Sequence, residues 1–187
     1  MGSDYFTRPV EFLLSTLVGL YVLAILLRFL LAAVRADFYN PVSQFLVRVT
    51  NPVIVPLRRL VPPVGRVDAA TLTALVGIEW LGQLLIGALR GAVQPWTAFV
   101  LSLASLTEML FNVFLFAIII QALLSWISPG AWNPVISIVH SLAEPALRPF
   151  RRLLPPISGI DLSPLLAILA ITVAKMLVLP LFGLLLA

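Results

Sequence analysis

Four stretches of this chain are each long and apolar enough to cross a lipid bilayer, and that constrains its fold more than any other feature. About 20 apolar residues in a helix span the roughly 30 Å of hydrocarbon. The first stretch runs from about Val10 to Val34 and the second from about Ala70 to Ala92; the third ends near Ile127 and the fourth covers 163–187. Backbone donors and acceptors in hydrocarbon must pair internally, which leaves helices or a closed barrel. The stretches lack the alternation of membrane strands, so the expected fold is an all-α integral membrane protein with four transmembrane helices. Composition agrees: 61% of the 187 residues are hydrophobic and 11% charged, against about 45–50% and about 25% in soluble domains.

The third stretch is the ambiguous one. From Trp96 to Ile127 the chain is almost continuously apolar, about 48 Å if fully helical. It reads either as one long tilted helix or as an interfacial piece over 95–106 followed by a span. The first stretch is too long, and its flank too weakly basic, for a cleavable signal, so it reads as a retained anchor. There are no cysteines, which excludes disulfides, thiolate metal sites and cysteine nucleophiles. The net charge is +4, but the arginines fall in two loops rather than on one face. Nucleic-acid contact is therefore not expected.

Those two loops, 35–69 and 128–162, are copies of one another. Shifting the chain by 93 residues brings Asn40-Pro41-Val42 onto Asn133-Pro134-Val135 without a gap. The register continues through Pro52 and Pro145, Pro56 and Pro149, and Arg58-Arg59 and Arg151-Arg152. It then runs through Pro62-Pro63 and Pro155-Pro156 to Asp68 and Asp161. About 12 of some 33 aligned positions are identical, which marks an internal repeat. The chain thus reads as residues 1–93 and 94–187, each a span, a basic loop and a span. An even number of crossings per unit makes the two copies parallel. Loop arginines outnumber those elsewhere, which places both loops in the cytoplasm and both termini outside.

Each loop has its own local logic. Asn40 or Asn133 caps a helix whose first residue is the following proline. Val42, Phe45, Leu46 and Val49, and likewise Val135, Ile138, Val139 and Leu142, recur at helical spacing, giving a short amphipathic helix in the headgroup layer. Prolines four apart are expected to end that helix at Pro52 or Pro145. Asp68 and Ser163 stand where the next span needs an N-cap, with Pro164 in its first turn.

The second copy, "EPALRPFRRLLPPISGIDLSP", resembles the repeat of the YggT (YlmG-like) family of bacterial and plastid membrane proteins. That repeat carries an asparagine-proline, paired arginines among prolines, a double proline and Gly-x-Asp-x-Ser-Pro, matched here by Gly159, Asp161, Ser163 and Pro164. The first copy departs where Arg66 replaces the glycine and Ala70-Thr71 replaces Ser-Pro. The resemblance covers both halves. It implies a bacterial inner-membrane location and roles such as envelope and division organisation, cytochrome maturation in plastids or osmotic tolerance, without naming residues.

Ionisable residues within spans call for a functional reading. Arg28, Glu79, Glu108 and Lys175 are such residues, yet their repeat partners are Gln121, Thr172, Ser15 and Gly82, none charged. Snorkelling or ion pairing is the plainer reading, and Glu79–Lys175 is the expected pair. His140, the single histidine, reads as a surface residue, and Gly87-x-x-x-Gly91 as a weak helix-packing motif. No catalytic, cofactor or metal motif is present. Arg58, Arg59, Arg151 and Arg152 are the candidates for contacting anionic lipid or a protein partner. The expectation is a non-enzymatic organising or assembly factor with no cofactor. Its partners would be membrane lipids and a membrane or division protein, and a homo-oligomer is compatible with the sequence. The alternative is a small channel or transporter lined by the four intramembrane charges.

Overall fold

The computed structural model describes residues 3–63, 68–127, 133–153 and 161–186. Among them are six α-helices: α1 Ser3–Ala33, α2 Pro41–Leu60, α3 Ala69–Leu89, α4 Pro95–Ile127, α5 Pro134–Leu153 and α6 Ser163–Leu184. Four contain stretches long and apolar enough to span a membrane, Thr7–Ala33, Ala69–Leu89, Pro95–Ser125 and Ser163–Leu184. The third stretch is therefore one continuous helix, with no separate interfacial piece at 95–106.

The two repeats share one internal arrangement. In the first, α1 packs on α3 and α2 lies against both; in the second, α4 packs on α6 and α5 lies against both. The repeats join through α3 against α4, and α5 also touches α1 and α2. Asn40 Nδ2 donates to the Pro134 carbonyl at 2.7 Å, so the starts of α2 and α5 meet. Both loops consequently lie at one end of the bundle, as parallel repeats require. The buried core clusters at that end: Ile25, Leu30 and Leu31 of α1, Leu46 and Ile54 of α2, Leu75 of α3, Ile118 of α4, and Leu142 and Leu147 of α5. Away from it, α6 presents Leu165, Leu169, Met176 and Leu177 outward. Such a face is stable in lipid and not in water.

One local expectation is overturned. The loop helices do not stop at Pro52 or Pro145; each is 20 residues long and holds two prolines, Pro52 and Pro56 or Pro145 and Pro149. Residues four apart share a helix face, and all four prolines are on the exposed side. The carbonyls left without a donor therefore lie on the exposed side of each loop helix, away from the packed core. The side of α2 that packs on the bundle takes in only part of the apolar stripe. Phe45 is 63% exposed, whereas Ser43, Leu46, Thr50 and Ile54 turn inward. The buried hydroxyls are satisfied locally, Ser43 Oγ donating to Asp37 O and Thr50 Oγ1 to Leu46 O, so turning them inward costs little.

The glycines of Gly87-x-x-x-Gly91 do not pack span against span. They build the turn that ends α3: Gly91 takes φ +73, and Ala92 N donates to Gly87 O at 2.9 Å. The close approach between spans is at Gly82, where a Cβ would come within 2.7 Å of Val18 Cγ1. α1 ends in the same kind of turn, with Ala36 N donating to Leu31 O, but the left-handed position holds Arg35, φ 56. An L side chain there costs about 1 kcal/mol. Arg35→Gly should therefore raise the melting temperature in detergent micelles, whereas Arg35→Val should lower it.

Candidate functional site

The polar residues at the loop end form two related constellations. In the first, Asn40 Oδ1 accepts from Val42 N at 2.9 Å and starts α2. Arg58 Nη2, at the end of the same helix, donates to Asp68 Oδ2 at 2.5 Å. Asp68 in turn caps α3, accepting from Thr71 N at 3.3 Å and Thr71 Oγ1 at 2.7 Å. The second copy repeats the plan. Asn133 Oδ1 accepts from Ile136 N at 2.9 Å, and Arg151 Nε donates to Asp161 Oδ2 at 3.1 Å. Asp161 Oδ1 takes the Ser163 amide at 2.9 Å. One arginine-aspartate clamp per repeat thus ties the end of the loop helix to the start of the following span.

Asp161 therefore serves the start of α6 in place of Ser163, which is already the first helical residue and fully buried. Pro164 occupies the first turn as expected. Pro155, Pro156 and Gly159 lie outside the described residues; Pro62 and Pro63 follow α2 without regular structure.

The clamps act on both aspartates. Partial burial works to raise the Asp68 carboxyl, but hydrogen bonds from Arg58 and Thr71 outweigh it and hold it below its ordinary value of 3.8. Asp161 is lowered likewise, with burial opposed by Ser163 and Arg151. A carboxyl lowered in the folded state adds stability in full above its unfolded value and loses it as pH falls through the folded one. Acidification from about pH 6 to about pH 3 should therefore depress the wild-type melting temperature more than that of Asp68→Asn/Asp161→Asn. Equal slopes would show that the clamps contribute nothing.

The four loop arginines separate into two roles. Arg58 and Arg151 are engaged by the clamps, Arg151 also through Glu144 Oε2 at 2.5 Å. Arg59 and Arg152 are exposed, as are Arg48 and Arg148, and none of these four has a hydrogen bond or ion pair among the described residues. His140 is exposed on α5.

The intramembrane charges do not converge. Arg28 is 6% exposed and its Nη1 donates to Thr50 Oγ1 at 2.7 Å, Asn51 Oδ1 at 2.9 Å and Val47 O at 3.4 Å. It fastens α2 to α1. The Glu79–Lys175 pair does not form: Lys175 Nζ meets Glu108 Oε1 at 2.8 Å and Asn112 Oδ1 at 2.9 Å. α6 packs on α4 and α5 rather than on α3, so its lysine finds the acid on α4. Glu79 is buried and accepts from Gln83 Nε2 one turn further along α3, at 3.0 Å. At the opposite end of the bundle Arg90 pairs with Glu11. Among the described residues no hydrogen bond or ion pair links Arg28, Glu79 and the Lys175–Glu108 pair to one another. Sequence reasoning missed Asn51, Thr50, Asn112 and Glu144, all polar positions within or beside helices whose only signal was polarity in an apolar setting. Among the described residues no cluster of three or more His, Asp or Glu could hold a metal.

The family comparison reproduces the repeat. A family model described as CCB3/YggT matches residues 7–89 and again 100–182. The chain belongs to this family. A Pseudomonas aeruginosa protein is 46% identical over 175 residues, covering 89% of this chain and 86% of that one. Escherichia coli K12 YggT is 37% identical over 170 residues, covering 90% and 88%. YlmG homolog protein 2, chloroplastic, of Arabidopsis thaliana is 33% identical over 60 residues, covering 32% and 24%. No solved structure matches. As a YggT-family protein with four apolar spans, the chain is a multi-pass membrane protein.

Proposed function

We propose that this YggT-family protein is a non-enzymatic organising or assembly factor of the bacterial inner membrane. Its working surface is the paired loop helices on the cytoplasmic side, where Arg59 and Arg152, with Arg48 and Arg148, engage anionic headgroups and a protein partner. The observation that carries this reading is the division of each arginine pair. One member is held by its own aspartate, and the other is exposed at the same repeat position in both copies. Stability alone accounts for Arg58 and Arg151; it gives no reason for a second arginine beside each. Near a negative surface each such residue is worth about 1 kcal/mol, roughly fivefold in affinity.

Retention of phosphatidylglycerol by the purified chain, read by native mass spectrometry, tests the lipid part. Arg59→Gln/Arg152→Gln should reduce it by more than tenfold, and lysine at both positions should restore part of it because charge survives without the bidentate fork. Unchanged retention in the glutamine variant sinks the reading. Crosslinking in membranes from position 59 tests the protein part by identifying what is captured. Solute flux through reconstituted protein, abolished by Lys175→Met, would replace this reading with that of a channel.

A further inference from the structure

The two copies differ where they should be most alike. In the first repeat, Arg28 and Phe29 of α1, Arg58 of α2, Asp68 capping α3 and Thr71 within it line a cavity of about 190 Å³. The positions 93 residues later, Gln121, Ala122, Arg151, Asp161 and Pro164, surround a cavity of about 270 Å³. The enlargement has an evident source, since glutamine and alanine stand where arginine and phenylalanine stood. Apolar side chains of Leu147, Leu165 and Ile168 complete the wall.

The charge differs as well. The first site holds two cations, Arg28 and Arg58, and one carboxylate, Asp68. At the position of Asn51, which accepts from Arg28, the second repeat carries Glu144. In the second repeat the single cation, Arg151, pairs with two carboxylates, Asp161 in the cavity wall and Glu144 behind it. Gln121 Oε1, at the position of Arg28, is buried and has no hydrogen-bond donor among the described residues. A buried carbonyl left unpaired costs about 1–3 kcal/mol and calls for a donor. Arg28 supplies donor and positive charge in the first repeat; among the described residues of the second repeat none does so.

We propose that the cavity between α4, α5 and α6 binds the primary ammonium group of an amphiphile, which takes the role that the Arg28 guanidinium plays in the first repeat. The cation would donate to Gln121 Oε1 once that side chain turns toward the cavity, and would offset the carboxylates around Arg151; its alkyl part would lie along Leu147, Leu165 and Ile168. An anion is disfavoured, because Arg151 already faces two carboxylates. The cavity belongs to the loop end of the bundle, where lipid amines are available. This inference stands apart from the arginine surface, since Arg59 and Arg152 do not line the cavity.

The full-length chain in maltoside micelles, followed by native mass spectrometry, provides the test. Phosphatidylethanolamine carries a primary ammonium, whereas phosphatidylcholine carries a trimethylated one that has no N–H to donate. The wild-type chain should retain the former about tenfold better, the worth of one charge-assisted hydrogen bond. Ala122→Phe and Gln121→Arg each install the residue of the first repeat, and each should abolish that preference. Ala122→Phe alone decides the matter if Gln121→Arg does not fold. Spermidine bound by the wild type but not by Ala122→Phe, without lipid preference, would support the ammonium site and assign its source to the soluble pool. Equal retention of both lipids with no spermidine binding would overturn the proposal, as would a lipid preference that survives both substitutions.

Discussion

Arg28→Met should destabilise the protein by about 3 kcal/mol, although it replaces a charge inside an apolar span with an apolar side chain of similar length. The Arg28 guanidinium donates to Thr50, Asn51 and Val47, and hydrogen bonds to a charged group contribute about 1.5–3 kcal/mol each. Its removal leaves Asn51 Oδ1 without that donor and releases α2 from α1. Thermal melting in micelles gives the magnitude, and faster proteolysis near Thr50 gives the location. Gln121→Met is the matched control. Its carbonyl has no donor among the described residues, so in protein free of amine ligand the substitution should be neutral or stabilising. A loss at Arg28→Met no larger than at Gln121→Met would show that the arginine does not fasten the loop helix.

The second large effect concerns Lys175 and Glu108, which face each other near the middle of α6 and α4. In a low-dielectric setting, losing one partner of an ion pair is worse than losing both. Lys175→Met should therefore destabilise by about 3 kcal/mol, and Lys175→Met/Glu108→Leu should recover most of that loss. The coupling energy from the double-mutant cycle should be about 1–3 kcal/mol. Additive losses would mean that the pair contributes nothing, and that Asn112 alone holds the lysine. Glu79→Gln combined with Lys175→Met should be additive, because Glu79 is satisfied by Gln83 within its own helix.

These expectations could be written only once the helices had been placed. The Asn40, Asn133 and Asp68 caps were legible because a cap and the amide it accepts are two or three residues apart. The partner of Lys175 was not, because Glu79 and Glu108 are both acids in apolar spans. Choosing between them requires knowing which span α6 touches. The continuation of α2 through Pro52 and Pro56 was misjudged for a related reason. The cost of a missing donor depends on where the freed carbonyl points, and the face is set by packing against α1 and α3.

Amino-acid order alone determined the properties that act over short range or through composition. These are the apolar lengths that make four spans, the 93-residue duplication, the prolines and asparagines that start the loop helices, and the arginines that follow them. The tertiary structure decided which charges meet, which arginine of each pair is left without a partner among the described residues, and that the second copy encloses a larger and less basic cavity than the first. The physical reason is that hydrogen bonds and ion pairs reach only about 3–4 Å. Residues 22 to 67 positions apart come within that distance only after the spans have chosen their neighbours.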